Sequence, residues 1–278
     1  IRLGGAVFGP EGGWRMPFIV LGALTVLISL GMHGFFRSQR GEHAFRSAYG
    51  GALRELGKYS AVFFVVIVGV YFVAVRLGLP EWGVAGIITV VALALVASVF
   101  ARLGGRIAPV LYNRDLFLIY VAFIPILWNL WFFSFWSVSI VSEAAAGSTF
   151  LQAALTAVFF GLAGIAGYPA GGWLADYSKR RGWGRKWMLV AFTFVQGVLT
   201  LLFGLYVMGG GQSLLMLGGL LFAASLFFNA LQPMAQALAA DLTAPAYLGA
   251  MFGMMNLIGE IGAILSPAIS GVLRDATG

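Results

Sequence analysis

The chain has 278 residues, of which 60% are hydrophobic and only 10% charged, with no cysteine and a net charge of +7. Soluble domains run at roughly 45–50% apolar and about 25% charged, so this composition and a mean hydropathy of +0.94 exclude a soluble globular enzyme, a disordered chain and a disulfide-stapled secreted domain. Apolar runs are continuous, as over 61–75 where only Gly69 interrupts; a membrane barrel would alternate polar and apolar residues. The fold class is therefore all-α, a polytopic membrane helix bundle.

A hydrocarbon core of about 30 Å needs roughly 17–25 apolar residues in helical form. In chain order, eight segments meet this or come close: 14–32, 59–75, 83–101, 116–141, 150–174, 187–208, 213–239 and 248–273. The second and third are short and are joined by the break RLGLPEW. The chain opens at Ile1 without a signal-peptide pattern and stops at Gly278 just after a span, so it is expected to be part of a longer protein.

Basic residues stay on the cytoplasmic side of a membrane. The segment after the first span carries Arg37, Arg40, Arg46, Arg54 and Lys58; that after the third carries Arg102, Arg106 and Arg114; that after the fifth carries Lys179, Arg180, Arg181, Arg185 and Lys186. These are thirteen of the seventeen basic residues, and they orient the chain with both ends outside and these segments inside. The net positive charge is thus topological. Split among several loops, it does not make a nucleic-acid surface, and no nucleic acid is expected as a partner.

Of the ten acidic residues, only Glu260 falls deep within a span. An ionisable group there costs about 2.5–3.5 kcal/mol on insertion scales, so it should face a cavity or a partner. It is the candidate proton-coupling residue, with a structural partnership to Asn256, or to a basic residue in the part of the protein that this chain lacks, as the alternative. His33 and His43 lie at or beyond a span end and read as surface residues. No metal-ligand spacing, phosphate loop or Ser/His/Asp arrangement is present, so no metal and no cofactor is implied.

The sequence GGWLADYSKRRGWGRK over 171–186 is the most informative stretch. Gly171 and Gly172 would let two helices approach. Asp176 stands where it could pair with a cation or a helix N-terminus, making a latch between helix ends. The alternative is a loop that only sets topology. Its pattern Gly172-Trp173-Leu174-Ala175-Asp176, then Arg180, Arg181, Gly182 and Gly184-Arg185-Lys186, resembles the G-x-L-a-D-r-x-G-r-[RK] loop of the major facilitator superfamily, with Tyr177-Ser178-Lys179 and Trp183 stretching the spacing. Gly12-Gly13-Trp14-Arg15-Met16-Pro17-Phe18 with Gly22 resembles the start of that family's sixth helix. Asp241, Pro245 and Gly249 resemble its loop between helices ten and eleven. Asn256, Gly259, Gly262, Pro267 and Gly271 resemble its eleventh helix.

The resemblance implies a fragment covering helices six to eleven. Residues 1–32 would form an outside loop and the sixth-helix-like span, and 33–58 a cytoplasmic basic loop. Residues 59–101 would be an extra transmembrane hairpin, as in fourteen-helix members, and 102–278 the C-terminal-half bundle without its last helix. The missing N-terminal half of the same chain would be the partner. It further implies a secondary transporter in a cell inner (plasma) membrane, with protons and a small solute as ligands. The Gly-Trp-Arg start and last-span pattern are similar to the anion:cation symporter branch. The extra hairpin and aromatic fourth span favour a drug:proton antiporter as the alternative.

A substrate cavity in such proteins lies near the midplane, and polar residues on one helical face are its trace in sequence. Asn229 and Gln232 of the seventh span share a face with Ser225 and Gln236, and Asn256 shares one with Glu260. Asn129 sits among Trp128 and Phe132 in the fourth span. These six, Trp128, Asn129, Phe132, Asn229, Gln232 and Asn256, are the candidate substrate-binding residues. Helix–helix hydrogen bonding, worth about 0.6 kcal/mol on average in membranes, is the competing role for the amides. Gly172, Asp176, Arg180, Arg181 and Arg185 are the candidate gating loop. An intramembrane enzyme would need paired catalytic groups within the spans, and a channel would show repeated filter motifs; neither is present in the sequence.

Overall fold

The structure, a computed structural model, describes residues 16–37, 42–145 and 147–277. Among the described residues it contains eight α-helices: α1 (Met16–Arg37), α2 (Glu42–Arg76), α3 (Glu81–Leu111), α4 (Arg114–Ala144), α5 (Phe150–Arg180), α6 (Arg185–Met208), α7 (Leu214–Asp241) and α8 (Leu248–Thr277), with a short 3-10 turn at Pro245–Tyr247. Among the described residues, six helices are long and apolar enough to cross a membrane. The chain is an all-α, polytopic membrane protein.

The helices outrun the apolar segments that predict them. The stretch 33–58, expected as a loop, is helical from Glu42 onward, because Glu, Ala, Leu, Arg and Lys favour helix as well outside a membrane as inside one. Likewise α3 runs to Leu111 through Gly104 and Gly105 and Pro109, leaving two residues before α4. The start of the family-like first span, before Met16, lies outside the described residues.

Helix ends follow local chemistry. Asn113 caps α4 by accepting from the backbone N–H of Asp115 and Leu116, and Thr149 with Gln152 makes a capping box on α5. Three helices end in a Schellman turn with glycine in the left-handed region: Gly78 after α2, Gly182 after α5 and Gly210 after α6. After α5, Trp183 N–H bonds Ser178 O at 3.1 Å and Gly182 N–H bonds Lys179 O at 3.1 Å. The connection from α5 to α6 is therefore only four residues.

Two compact units divide the chain at 99/100. In the first, α2 and the start of α3 enclose an apolar groove of about 400 Å³ lined by Val66, Gly69, Val70, Val73, Leu79 and Ile87. The second, residues 100–278, is organised around α7. Water gives no drive to helix association within lipid, so close packing must supply it. Accordingly the α5–α7 seam is built from glycine. A methyl on Gly167 would lie 2.7 Å from Asn229 Cβ and from Leu226 O, and one on Gly171 would collide with the backbone of Ala230. The α4–α8 seam does the same at Gly259, against Phe123 and Leu127, and at Gly262, against the backbone of Ile124 and Trp128. Gly172 has open space around it, so of the expected glycine pair only Gly171 makes the approach.

Aliphatic and aromatic side chains fill what the glycines bring together. Leu116, Tyr120, Phe123 and Leu127 of α4 pack on Leu231, Met251 and Met255. Phe133, Phe160, Phe203 and Phe228 join four helices, with Phe133 edge-on to Phe203 at 5.5 Å and Phe160 stacked on Phe228 at 5.2 Å.

Candidate transport site and helix-end clamp

At one end of the second unit, three helix ends converge on Arg185. Its guanidinium donates through Nη2 to Asp176 Oδ1 at 2.5 Å and through Nη1 to Asp241 Oδ2. Lys179 Nζ donates to the other oxygen of Asp241 at 2.8 Å. Four charges from α5, α6 and α7 thus form one network. Arg185 is its centre, with a side chain only 11% exposed, against 32% for Asp241 and 59% for Asp176.

The network has an electrostatic logic beyond attraction. Arg185 opens α6 and Asp241 closes α7. A cation at a helix N-terminus and an anion at a C-terminus each oppose the dipole of their own helix. Joined, each neutralises the other's mismatch; separated, both are left facing the wrong pole. Ser178 Oγ, donating to Gly184 O at 2.9 Å, holds the turn in place beneath Arg185. Of the expected gating residues, Asp176 and Arg185 meet. Arg180 is exposed, and Arg181 turns to Tyr177, its Nε donating to the phenol oxygen at 3.1 Å. Within 179–186, the cations that pair with acids are Lys179 and Arg185. Sequence reasoning missed Asp241 as their partner, 56 residues from Arg185. Its signal was an acid at a span end facing an otherwise uncharged loop.

The other end of the unit carries a second pair. Arg274 of α8 donates to Glu143 of α4 at 2.5 Å, and its guanidinium lies 5.6 Å from the centre of the Trp136 ring.

Between the ends, the candidate substrate residues fall on different surfaces. Asn229 is buried in the α5–α7 seam, where Nδ2 donates to Ser225 O at 2.8 Å and Ser225 Oγ at 3.0 Å; Ser225 Oγ donates across to Phe160 O at 2.6 Å. Asn129 donates to Pro125 O at 3.0 Å, and Thr200 Oγ1 reaches its Oδ1 at 3.5 Å while accepting from Gln196 at 3.0 Å. Gln196 and Thr200, spaced four apart on α6, form a polar line to α4 that the sequence reading passed over. Trp128 offers its carbonyl to Ser266 Oγ at 3.0 Å. Phe132 stands edge-on to Phe133 at 5.1 Å. Gln232 is half-buried, with its side-chain amide beside the Tyr168 hydroxyl of α5.

Asn256 and Glu260 are exposed on α8. Glu260 lies twelve residues beyond Leu248, the first of α8, about 18 Å along the axis at 1.5 Å per residue. Gly262, on the far side of the helix, is pressed against α4. Glu260 therefore points away from the α4–α8 seam, at mid-depth, on a face no other helix of the second unit covers. Among the described residues no group of His, Asp and Glu could hold a metal ion.

The family profile of the major facilitator superfamily matches residues 138–278, which is half of the chain. The chain belongs to the major facilitator superfamily. It is a membrane transporter by family, and the resemblance read from the 171–186 loop is the one that the profile finds. The match runs from the end of α4 through α8 and takes in the Asp176–Arg185–Asp241 network, the α5–α7 glycine seam and Glu260, while Phe123–Trp128, the α4 side of the α4–α8 seam, lies before it. No curated protein and no solved structure gives a significant match to this facilitator chain.

Proposed function

We propose that this facilitator chain forms the C-terminal half of a proton-coupled secondary transporter that moves a small organic anion or metabolite across a cell inner (plasma) membrane by alternating access, in company with an N-terminal half. The observation that carries the reading is the exposed Asn256–Glu260 face of α8. A mid-depth carboxylate is costly against lipid, so its uncovered face is suited to a water-filled cavity between two halves. There the carboxylate could pass a proton from one side of the membrane to the other as access to the cavity alternates.

In this reading Gln232, Asn129, Trp128, Phe132 and Asn229 border the substrate path, directly or by holding the helices that do. Gln232, half-buried beside the Tyr168 hydroxyl, supplies an amide donor suited to a carboxylate oxygen. The Asp176–Arg185–Asp241–Lys179 network acts as the gate, binding three helix ends together in one state and releasing them in the other, and Gly172, Arg180 and Arg181 flank it.

The second reading is a drug:proton antiporter. The aromatic wall of α4, with Trp131 and Phe135 ring centres 5.8 Å apart, and the additional helices α2 and α3 favour it. The full protein in proteoliposomes containing a pH-sensitive dye distinguishes the two. On adding members of a panel of organic anions, symport carries protons in with the solute, whereas antiport of lipophilic cations carries them out. Glu260→Gln should abolish substrate-driven proton movement while leaving solute exchange measurable. Proton movement that survives the substitution removes Glu260 from the coupling role.

A further inference from the structure

The cations around 179–186 divide into two groups. Lys179 and Arg185 are held by Asp241 and Asp176. Arg180, Arg181 and Lys186 are exposed and have no carboxylate partner among the described residues. The unpaired group does not sit on bare helix. It crowns an aromatic column on a separate face of α5.

Trp173, Tyr177 and Arg181 are spaced four apart and so stand one above the next along α5. Trp173 stacks on Tyr177 with ring centres 5.5 Å apart, and the Arg181 guanidinium lies 5.3 Å from the Tyr177 ring centre. Trp183 follows the Schellman glycine and closes edge-on against Tyr177 at 6.4 Å, the apolar contact that such a turn provides. Beyond it Lys186 Nζ is 6.0 Å from the Trp187 ring centre. Trp173, Trp183 and Trp187 are 60%, 61% and 67% exposed. A soluble surface would not leave three tryptophans open to water.

We infer that this face of the α5 end, with the turn that follows it, is a binding site for the headgroup of an anionic phospholipid. The column passes from tryptophan through tyrosine to arginine, the order of polarity met on leaving the hydrocarbon through the interface. Arg181 uses Nε on the Tyr177 hydroxyl, which fixes the plane of the guanidinium and leaves its two terminal nitrogens to grip a phosphodiester in bidentate fashion. Arg180 and Lys186 add charge beside it, and the aromatic rings take the first carbons of the acyl chains. A lipid is favoured over a soluble phosphate because the platform that orients Arg181 is built of aromatics, with Trp173 and Trp183 exposed, at the end of a helix long and apolar enough to cross a membrane. The inference does not depend on which solute is transported.

The test uses the full protein reconstituted in phosphatidylcholine nanodiscs with or without phosphatidylglycerol. Brominated phosphatidylglycerol should quench tryptophan fluorescence more than brominated phosphatidylcholine at the same mole fraction. After detergent extraction, phosphatidylglycerol retained per protein, measured by mass spectrometry, should fall about tenfold in Arg180→Gln/Arg181→Gln, given the attraction of each cation to an anionic surface. It should fall little in Arg102→Gln/Arg114→Gln, which removes the same charge elsewhere. Tyr177→Leu, which keeps every cation, should also lower retention. Equal loss in both double variants, or equal quenching by the two brominated lipids, overturns the inference. Displacement of the lipid by millimolar glycerol phosphate overturns it too, in favour of a soluble phosphate ester.

Discussion

Arg185 and Asp241 begin one membrane helix and end the next, and their side chains meet although 56 residues separate them. Each sits at the unfavourable pole of its own helix, so the pair offsets two penalties at once. Removing one member leaves the other worse placed than before.

Asp241→Asn should therefore destabilise the folded bundle by about 1–2 kcal/mol, a charged hydrogen bond discounted for the partial exposure of Asp241. Asp176→Asn, at a more exposed carboxylate, should cost less. Arg185→Lys should not rescue the network, because one ammonium cannot span two carboxylates as a guanidinium does. Thermal unfolding of the purified protein in detergent ranks the three. A smaller loss for Asp241→Asn than for Asp176→Asn would contradict the central place given to the α6–α7 contact.

The glycine seam predicts an ordering of its own. Gly171→Ala and Gly167→Ala place a methyl against backbone or Cβ atoms of α7 and should each cost about 1–3 kcal/mol. Gly164→Ala meets Asn229 only at 3.5 Å and should be mild. Gly172→Ala has room and should be neutral or gain up to about 1 kcal/mol from helix propensity. The same unfolding assay reads all four.

At Glu260 the outcome divides by assay. Glu260→Leu should make α8 insert into a bilayer more readily, by about 2.5–3.5 kcal/mol on an insertion scale. In the transport assay the same variant should be inactive. Improved insertion with undiminished coupled transport would show that the carboxylate has no part in function.

Topology can be mapped directly, since the chain has no cysteine. Single cysteines placed within 37–58, 102–114 or 179–186 should resist an impermeant maleimide added to intact cells and react once the cells are opened. Labelling of any one from outside would reverse the assignment made from Lys and Arg.

Much of the fold is legible in the sequence because a lipid solvent demands long apolar helices, and such runs are visible without knowing the neighbours. The Gly164, Gly167, Gly171 spacing marks a packing face, and the structure places Asn229 and Ala230 against it. Legibility fails where the decisive partner is distant in the chain. Nothing local says that Arg185 meets Asp241, that Arg274 meets Glu143, or that Asn129 shares a line with Thr200. Nor does a helical wheel tell a seam from a cavity. Ser225 and Asn229 lie on a polar face of α7, and that face is pressed against α5. Helix lengths were underread for another reason: charged residues end a hydrophobic span without ending the helix.

The apolar part of α2 covers Gly57–Arg76, while the helix itself starts at Glu42. Some fifteen residues, about 22 Å at 1.5 Å per residue, therefore project past the hydrocarbon as a continuous rod. Such a rod is a lever. A rocking of α2 by roughly 10° about the membrane surface would sweep its tip through about 4 Å by the same helix geometry, so a spin label or fluorophore near Glu42 would magnify tilts too small to detect within the bilayer.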